Sequence, residues 1–202
     1  FVDVYEHSLW GQQIMRDLCL KLIDFGADVQ LHTHPAWRDD PRDFKWLRKY
    51  KKKYSYMKQE KDFMTKLNLN EQIQILYEGI DLLDKWTNVI PIAHRGGGYS
   101  INDNTIKALQ EVKIPIDSSM HWGHDNSHLT WTKNAISKRD NIIELPVTIL
   151  NYVFSLPFIG NIYSKGMKTD IDTCSLHELI EYTNIAKSKN IKLMNLFMHS
   201  YS

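Results

Sequence analysis

The stretch Gly26-Ala27-Asp28-Val29-Gln30-Leu31-His32-Thr33-His34-Pro35 joins the fold of this chain to its chemistry. Upstream of it, between residues 10 and 25, the apolar residues Ile14, Leu18, Leu22 and Phe25 recur every three or four positions. That spacing predicts one helix face, and Gly26 supplies the stop. Residues 28–32 (DVQLH) then alternate polar and apolar, as a half-buried strand does. On an extended backbone, side chains two positions apart point the same way, so His32 and His34 can face one ion. Neutral imidazole is a zinc-type ligand, and two such ligands need one carboxylate to make a three-ligand site. Two polar loop histidines steadying a turn before Pro35 would give the same letters, and spacing alone leaves both readings open.

Outward from this segment the chain alternates short strand-like and longer helix-like runs. Residues 1–5 (FVDVY) are rich in β-formers. A long connection over 33–66 carries many Lys, Arg and aromatic residues. Asn70 can cap a helix reaching residue 86 through Ile73, Leu76, Tyr77, Ile80 and Leu83. Residues 89–93 (VIPIA) read as a buried strand, 94–98 (HRGGG) as a turn, 104–112 as a helix, and 114–116 as a strand ending at Asp117-Ser118-Ser119. Residues 120–141 read as loop and 142–145 as a strand. Ser175 with Glu178 forms a capping box opening a helix to about residue 189, and 191–198 (IKLMNLFM) read as a final buried strand. Regular alternation of this kind predicts an α/β fold with parallel strands, organised as a single domain over residues 1–202.

Composition narrows the classes. The 202 residues are 43% hydrophobic and 24% charged, which excludes a disordered, collagenous or coiled-coil chain. Lys and Arg number 25 against 24 Asp and Glu, so the positive excess of a nucleic-acid binder is absent. No apolar run approaches the ~18 residues of a transmembrane helix. Cys19 and Cys174 form no metal spacing and read as small buried hydrophobes, with a single bridge left open. The chain starts Phe1-Val2-Asp3 without Met and reads as processed, trimmed or fragmentary.

Several polar residues fall just after predicted strands: His32 and His34, His94 and Arg95, Asp117, and His199. The carboxyl ends of parallel strands open on one side of a sheet or barrel, so these residues can converge in one cleft. Arg95 follows an apolar run, where a guanidinium is costly unless a carboxylate or ligand meets it; a surface arginine is the alternative. Gly96-Gly97-Gly98 allows close backbone approach, and its N–H groups could hold an oxyanion, or it is a tight turn. His199 would suit a general acid beside a metal, or simply end a buried strand. His121, His124 and His128 sit in the polar loop, while His7 and His177 read as surface or cap positions. The basic run Arg48-Lys49-Tyr50-Lys51-Lys52-Lys53, with Tyr54 and Tyr56, reads as a solvated helix face. There is no G-x-S-x-G elbow and no P-loop.

In order along the chain, these residues resemble the polysaccharide deacetylase (NodB-homology) family of carbohydrate esterases. The segment ending His32-Thr33-His34-Pro35 resembles the family's histidine motif, shortened between its two histidines. Ala93-His94-Arg95-Gly96-Gly97-Gly98-Tyr99-Ser100, a helix and Ile116-Asp117-Ser118-Ser119 resemble its arginine motif, and Leu196-Phe197-Met198-His199-Ser200 its last motif. The resemblance implies a distorted (β/α) barrel, incomplete at the N-terminus, holding a divalent, zinc-like ion. It implies removal of acetyl groups from N-acetylated sugars of a polysaccharide or glycolipid. By the same resemblance His32 and His34 would be metal ligands, Arg95 would orient the catalytic carboxylate, and His199 would protonate the departing amine. The backbone at Gly98-Tyr99 would stabilise the oxyanion. The family's aspartate pair is expected upstream of residue 1, with Asp3 in the wrong strand to replace it, and His94 stands where the family has an aromatic. Two alternatives accompany this reading: an HxH amidohydrolase or phosphoesterase barrel drawing further ligands from His94 and His199, and a carbohydrate-binding relative without catalysis.

Overall fold

Alternation of strand and helix is realised in a six-stranded sheet dominated by parallel pairs. The computed structural model describes residues 1–39, 62–156, 158 and 160–198, with the backbone alone at 39, 152–156, 161–165 and 167. The first strand, β1 (Val2–Asp3), leads through a 3-10 turn (Val4–Glu6) into two helices, α1 (His7–Trp10) and α2 (Gln12–Asp24). There follow β2 (Leu31–Thr33), α3 (Pro35–Asp39), α4 (Leu69–Thr87), β3 (Ala93–Gly96), α5 (Asp103–Glu111) and β4 (Ile116–Asp117). The C-terminal part holds β5 (Ser137–Arg139), β6 (Ile142–Glu144), β7 (Ile149–Leu156), β8 (Gly160–Lys168) and α6 (Leu176–Ser188).

Sheet order is β1-β2-β3-β4-β6-β5, every pair parallel except β5 against β6. Each of the first three crossovers advances one strand in the same direction. Because such crossovers are right-handed, their helices fall on one side of the sheet and leave the other side open. Closure is not reached, since β1 and β5 both remain edges among the described strands; what is present is an open α/β sheet.

The sequence marks its helix starts clearly. Asn68, Asn102 and Ser175 each accept a bond from the third helical N–H while the residue there bonds back to the cap. Asn68 thus takes the role expected of Asn70, because its partner Glu71 sits at the required spacing. The helix faces, in contrast, differ from the periodic reading. On α2 the buried residues are Met15 and Cys19, whereas Ile14, Leu18 and Phe25 are exposed. On α4, Ile75, Leu76, Gly79, Leu83 and Trp86 turn inward and Tyr77 outward. Gly79 is there to admit the sheet: a Cβ on it would lie 2.8 Å from Leu31 Cδ1. Leu31, fully buried in that contact, is worth about 2–5 kcal/mol against truncation to Ala.

Two strand expectations are corrected. The third strand is Ala93–Gly96 rather than 89–93, and Val89, Ile90 and Ile92 are exposed. His94 and Arg95 therefore lie within a strand and not in the turn after it. The backbone here is pulled into register by Gln30, whose side-chain oxygen accepts from the N–H groups of Ile92 (2.8 Å) and Ala93 (2.7 Å). Residues 191–198 form no buried strand; their ladder is one bridge between Phe197 and Asp170, and Leu196 and Met198 are exposed. Residues 149–156 and 160–168, which carry no expectation from the sequence, form the antiparallel pair β7 and β8. Cys19 and Cys174 are both free thiols. No described helix is long and apolar enough to cross a membrane.

Candidate functional site

Strand register sorts the polar residues onto two faces. Asp3, His32 and Arg95 are paired neighbours across β1, β2 and β3. One residue away in each strand runs a second row: Leu31, His94, Asp117 and Glu144. Successive side chains in a strand point to opposite faces, and Leu31 packs against α4. The first row therefore looks out of the open face, while His94, Asp117 and Glu144 lie beneath it on the helix side.

The inner row is fully buried; His94 and Asp117 are closely bonded, while Glu144 accepts from Met120 N–H at 3.0 Å and its Oε2 has no hydrogen-bond donor among the described residues. His94 Nδ1 donates to Asp117 Oδ1 at 2.8 Å, and its Nε2 meets the Thr33 hydroxyl at 3.0 Å. Asp117 also accepts from the Ser119 hydroxyl (2.9 Å) and backbone N–H (2.8 Å). Although burial works to raise it, Asp117 is held below the usual carboxylate range by the hydrogen bond and charge of His94. Glu144 goes the other way, pushed well above its ordinary value by burial and by the charge of Asp117. One carboxylate and one carboxylic acid can share a dry space that two carboxylates could not. Thr33, His94 and Asp117 form a hydroxyl–imidazole–carboxylate chain, but each is inaccessible to solvent, so no substrate reaches the hydroxyl. With both ring nitrogens engaged, His94 is no ligand for an open-face metal, contrary to what the amidohydrolase alternative requires.

The outer row behaves differently. His32 Nδ1 donates to the Arg95 carbonyl at 2.6 Å, and His34 Nδ1 to Asp62 Oδ2 at 2.9 Å. The rings stand edge to face with centroids 4.9 Å apart. A bond at Nδ1 fixes orientation and, in the neutral ring, leaves Nε2 with its lone pair, the arrangement that metal-binding histidines carry. Burial, assisted by the charge of His34, holds His32 well below its ordinary value and therefore neutral. Burial also acts to lower His34, but the hydrogen bond and charge of Asp62, then Asp3 and Glu6, outweigh it and raise the ring's pKa. Asp3 lies beside this pair. Its Oδ1 accepts from Tyr5 N–H at 3.0 Å, and its Oδ2 is buried with no donor among the described residues. Burial lifts Asp3 to about 7 against the opposing pull of His34. Asp3 was expected in the wrong strand to serve here; parallel pairing of β1 with β2 sets it next to His32 instead.

The glycine turn lies against the same imidazole. A Cβ on Gly97 would come within 2.5 Å of His34 Nδ1, so only glycine lets the ring lie there. Gly98 follows, with its carbonyl accepting from Asn126 Nδ2 at 3.2 Å. Tyr99 holds φ at 59°, a strained value for a bulky residue. Its ring packs against His121 (4.6 Å), His124 (5.0 Å) and Phe197 (5.7 Å), and its hydroxyl oxygen accepts from Lys168 Nζ at 3.2 Å. Arg95 donates to the Ser118 carbonyl and hydroxyl and to Asn195 Oδ1, and its guanidinium lies 4.4 Å from the Phe1 ring centroid and 5.3 Å from that of Phe197. No described carboxylate is within ion-pairing distance of it.

His32, His34, Arg95, Gly98 and Tyr99 are thus gathered at one end of the sheet. His199 and the run Arg48–Lys53 lie outside the described residues. Sequence reading missed Asp3, Asp62, Lys168 and Asn195. The place of Asp3 depends on the pairing of β1 with β2, and Lys168 and Asn195 come from segments whose partners lie far along the chain. Among the described residues no three His, Cys, Asp or Glu side chains converge tightly enough to enclose an ion. Two imidazoles with free Nε2 atoms and a buried, donorless carboxylate oxygen nevertheless fit a divalent cation in chemical character.

No protein-family model matches the sequence, and no curated protein matches it. Among solved structures, the chain is similar to one described as a "putative polysaccharide deacetylase" from Mycobacterium smegmatis, with 15% identity and a TM-score of 0.42. The match covers 90% of this chain and 61% of that one, so the chain spans under two thirds of that protein's length.

Proposed function

We propose that this chain is a metal-dependent hydrolase that removes acetyl groups from N-acetylated sugars of a polysaccharide or glycolipid. The observation that carries the reading is the pair His32 and His34, each anchored through Nδ1 with ring centroids 4.9 Å apart, and Asp3 paired with His32 across β1 and β2. His32 and His34 would supply two ligands to a divalent ion of zinc type. When bound, such an ion polarises a carbonyl and acidifies water.

The remaining residues position the reaction. Bonds from Ser118 and Asn195 and the rings of Phe1 and Phe197 fix the Arg95 guanidinium, so its charge is preorganised for a developing oxyanion or a reacting carboxylate at no reorganisation cost. Gly97 and Gly98 keep the turn close to His34, where backbone N–H groups near Tyr99 serve an acyl oxygen. Tyr99 and Phe197 offer ring faces to a sugar, and His199 gives a proton to the departing amine. The order of the histidine, arginine and C-terminal motifs along the chain supports the same assignment.

The test is zinc stoichiometry by elemental analysis together with acetate release from an N-acetylglucosamine oligomer. The native protein should carry one zinc per chain, and His32→Ala with His34→Ala should abolish both binding and acetate release. Undiminished zinc in the double variant would overturn the assignment.

A further inference from the structure

Beyond the metal face, a line of rings leads from Arg95 to a second polar place. Phe197 lies under Arg95 and packs on Tyr99; Tyr99 packs on His121; and Trp122, next to His121 in the sequence and half exposed, carries Lys133 Nζ 4.8 Å from its ring centroid. There Lys133, Asn134, Asn151 and Lys189 surround a cavity of about 240 Å³, floored by Ile149 and Ile191. That is below the ~300–1,000 Å³ of a whole small-molecule site, and suits one sugar unit or its substituent.

The polar groups of the cavity are unequally committed. Asn134 spends its amide on Ile149, donating to the carbonyl (2.7 Å) and accepting from the N–H (2.7 Å). Asn151 Oδ1 accepts from Lys133 at 3.2 Å. Neither lysine has a carboxylate partner among the described residues, and no acidic side chain lines the cavity. Burial, and then the charge of Lys189, hold the Lys133 amine below its ordinary value. Two like charges gathered on an apolar floor without a counter-ion repel each other unless an anion sits between them.

We infer that the cavity between Lys133 and Lys189 is a subsite for the anionic group of an acidic sugar, held one or more units along the glycan whose acetyl group lies at the metal face. This rests on the deacetylase reading, and sharpens it from N-acetylated glycans in general to those bearing carboxylates. The line of rings from Tyr99 to Trp122 gives the intervening sugars faces to stack on, and the lysines give the charge its partner.

The test uses a hyaluronan octasaccharide, in which N-acetylglucosamine alternates with glucuronate, and the same oligomer with its carboxylates reduced to alcohols. The native protein should bind the acidic form at least about tenfold tighter at low salt, with the advantage fading as salt rises. Lys133→Glu with Lys189→Glu should remove that advantage and leave affinity for the reduced oligomer unchanged. Lys133→Gln with Lys189→Gln, whose unfolding midpoint is checked, repeats the test without charge reversal. Equal binding of the two oligomers by the native protein, or an advantage that survives the substitutions, overturns the subsite. Selective, lysine-dependent binding of the acidic oligomer without acetate release would uphold the subsite and overturn the deacetylase reading instead.

Discussion

The two faces of the central sheet carry similar residue types and are put to different uses. Beneath, Asp117 and His94 are saturated with partners from their own and adjacent strands, and neither has an atom to spare. Above, His32, His34 and Asp3 each keep one atom uncommitted while the other is tied down. The difference teaches that burial and charge do not by themselves mark a site here: His94 and Asp117 are the more deeply buried pair, yet the open valence lies with the neighbours one residue away. A saturated polar network specifies strand register, whereas an anchored but unsaturated one is ready for a ligand.

The largest effect that would break this comparison comes from the saturated face. Asp117→Ala removes the acceptor of His94 and of both Ser119 donors, so urea unfolding should show a loss of about 3–5 kcal/mol. A loss below about 1 kcal/mol would mean that the network is not structural. His32→Ala, which removes a single hydrogen bond to the Arg95 carbonyl, should cost less in the same assay.

A smaller effect sharpens the open face. In Gly97→Ala the new methyl would collide with the His34 ring, and zinc affinity measured by calorimetry should fall about 10- to 100-fold. Native affinity in this variant would show that His34 orientation is irrelevant to metal binding.

The smallest effect is a slope with pH. Glu144 is raised well above its ordinary 4.5 by burial and Asp117, with Met120 N–H and Arg95 opposing. The folded chain thus keeps a proton that the unfolded chain loses above pH 4.5, and this contribution to stability declines as pH rises toward the folded value. Asp117, whose pKa is lowered from 3.8, contributes the opposite slope, but only below that pH. Glu144→Gln keeps a hydrogen-bond donor at the position without a titrating proton, so its stability curve should lack the decline. An unchanged slope would place the proton elsewhere.

Much of the helical framework was legible in the sequence, because a cap is a local event: Ser175 and Glu178 need only each other. Strands were harder. The run at 89–93 looks like a buried strand by composition, yet the strand is Ala93–Gly96, whose polar residues are made affordable by Asp117, Thr33 and Gln30 from distant segments. The run at 191–198 is apolar enough for a strand but finds only Asp170 as a ladder partner. For the site, the spacing of His32 and His34 was informative because period two is a property of any extended chain. Asp3 was not, since its place beside His32 depends on which strands pair and in what register.

The most direct test of the account is nitrogen NMR of the histidine rings during zinc titration. The Nε2 resonances of His32 and His34 should shift together and saturate at one equivalent, while both nitrogens of His94 stay in place. A His94 nitrogen that follows the metal, or His32 and His34 resonances that do not move, would contradict the division of the two faces on which the functional reading stands.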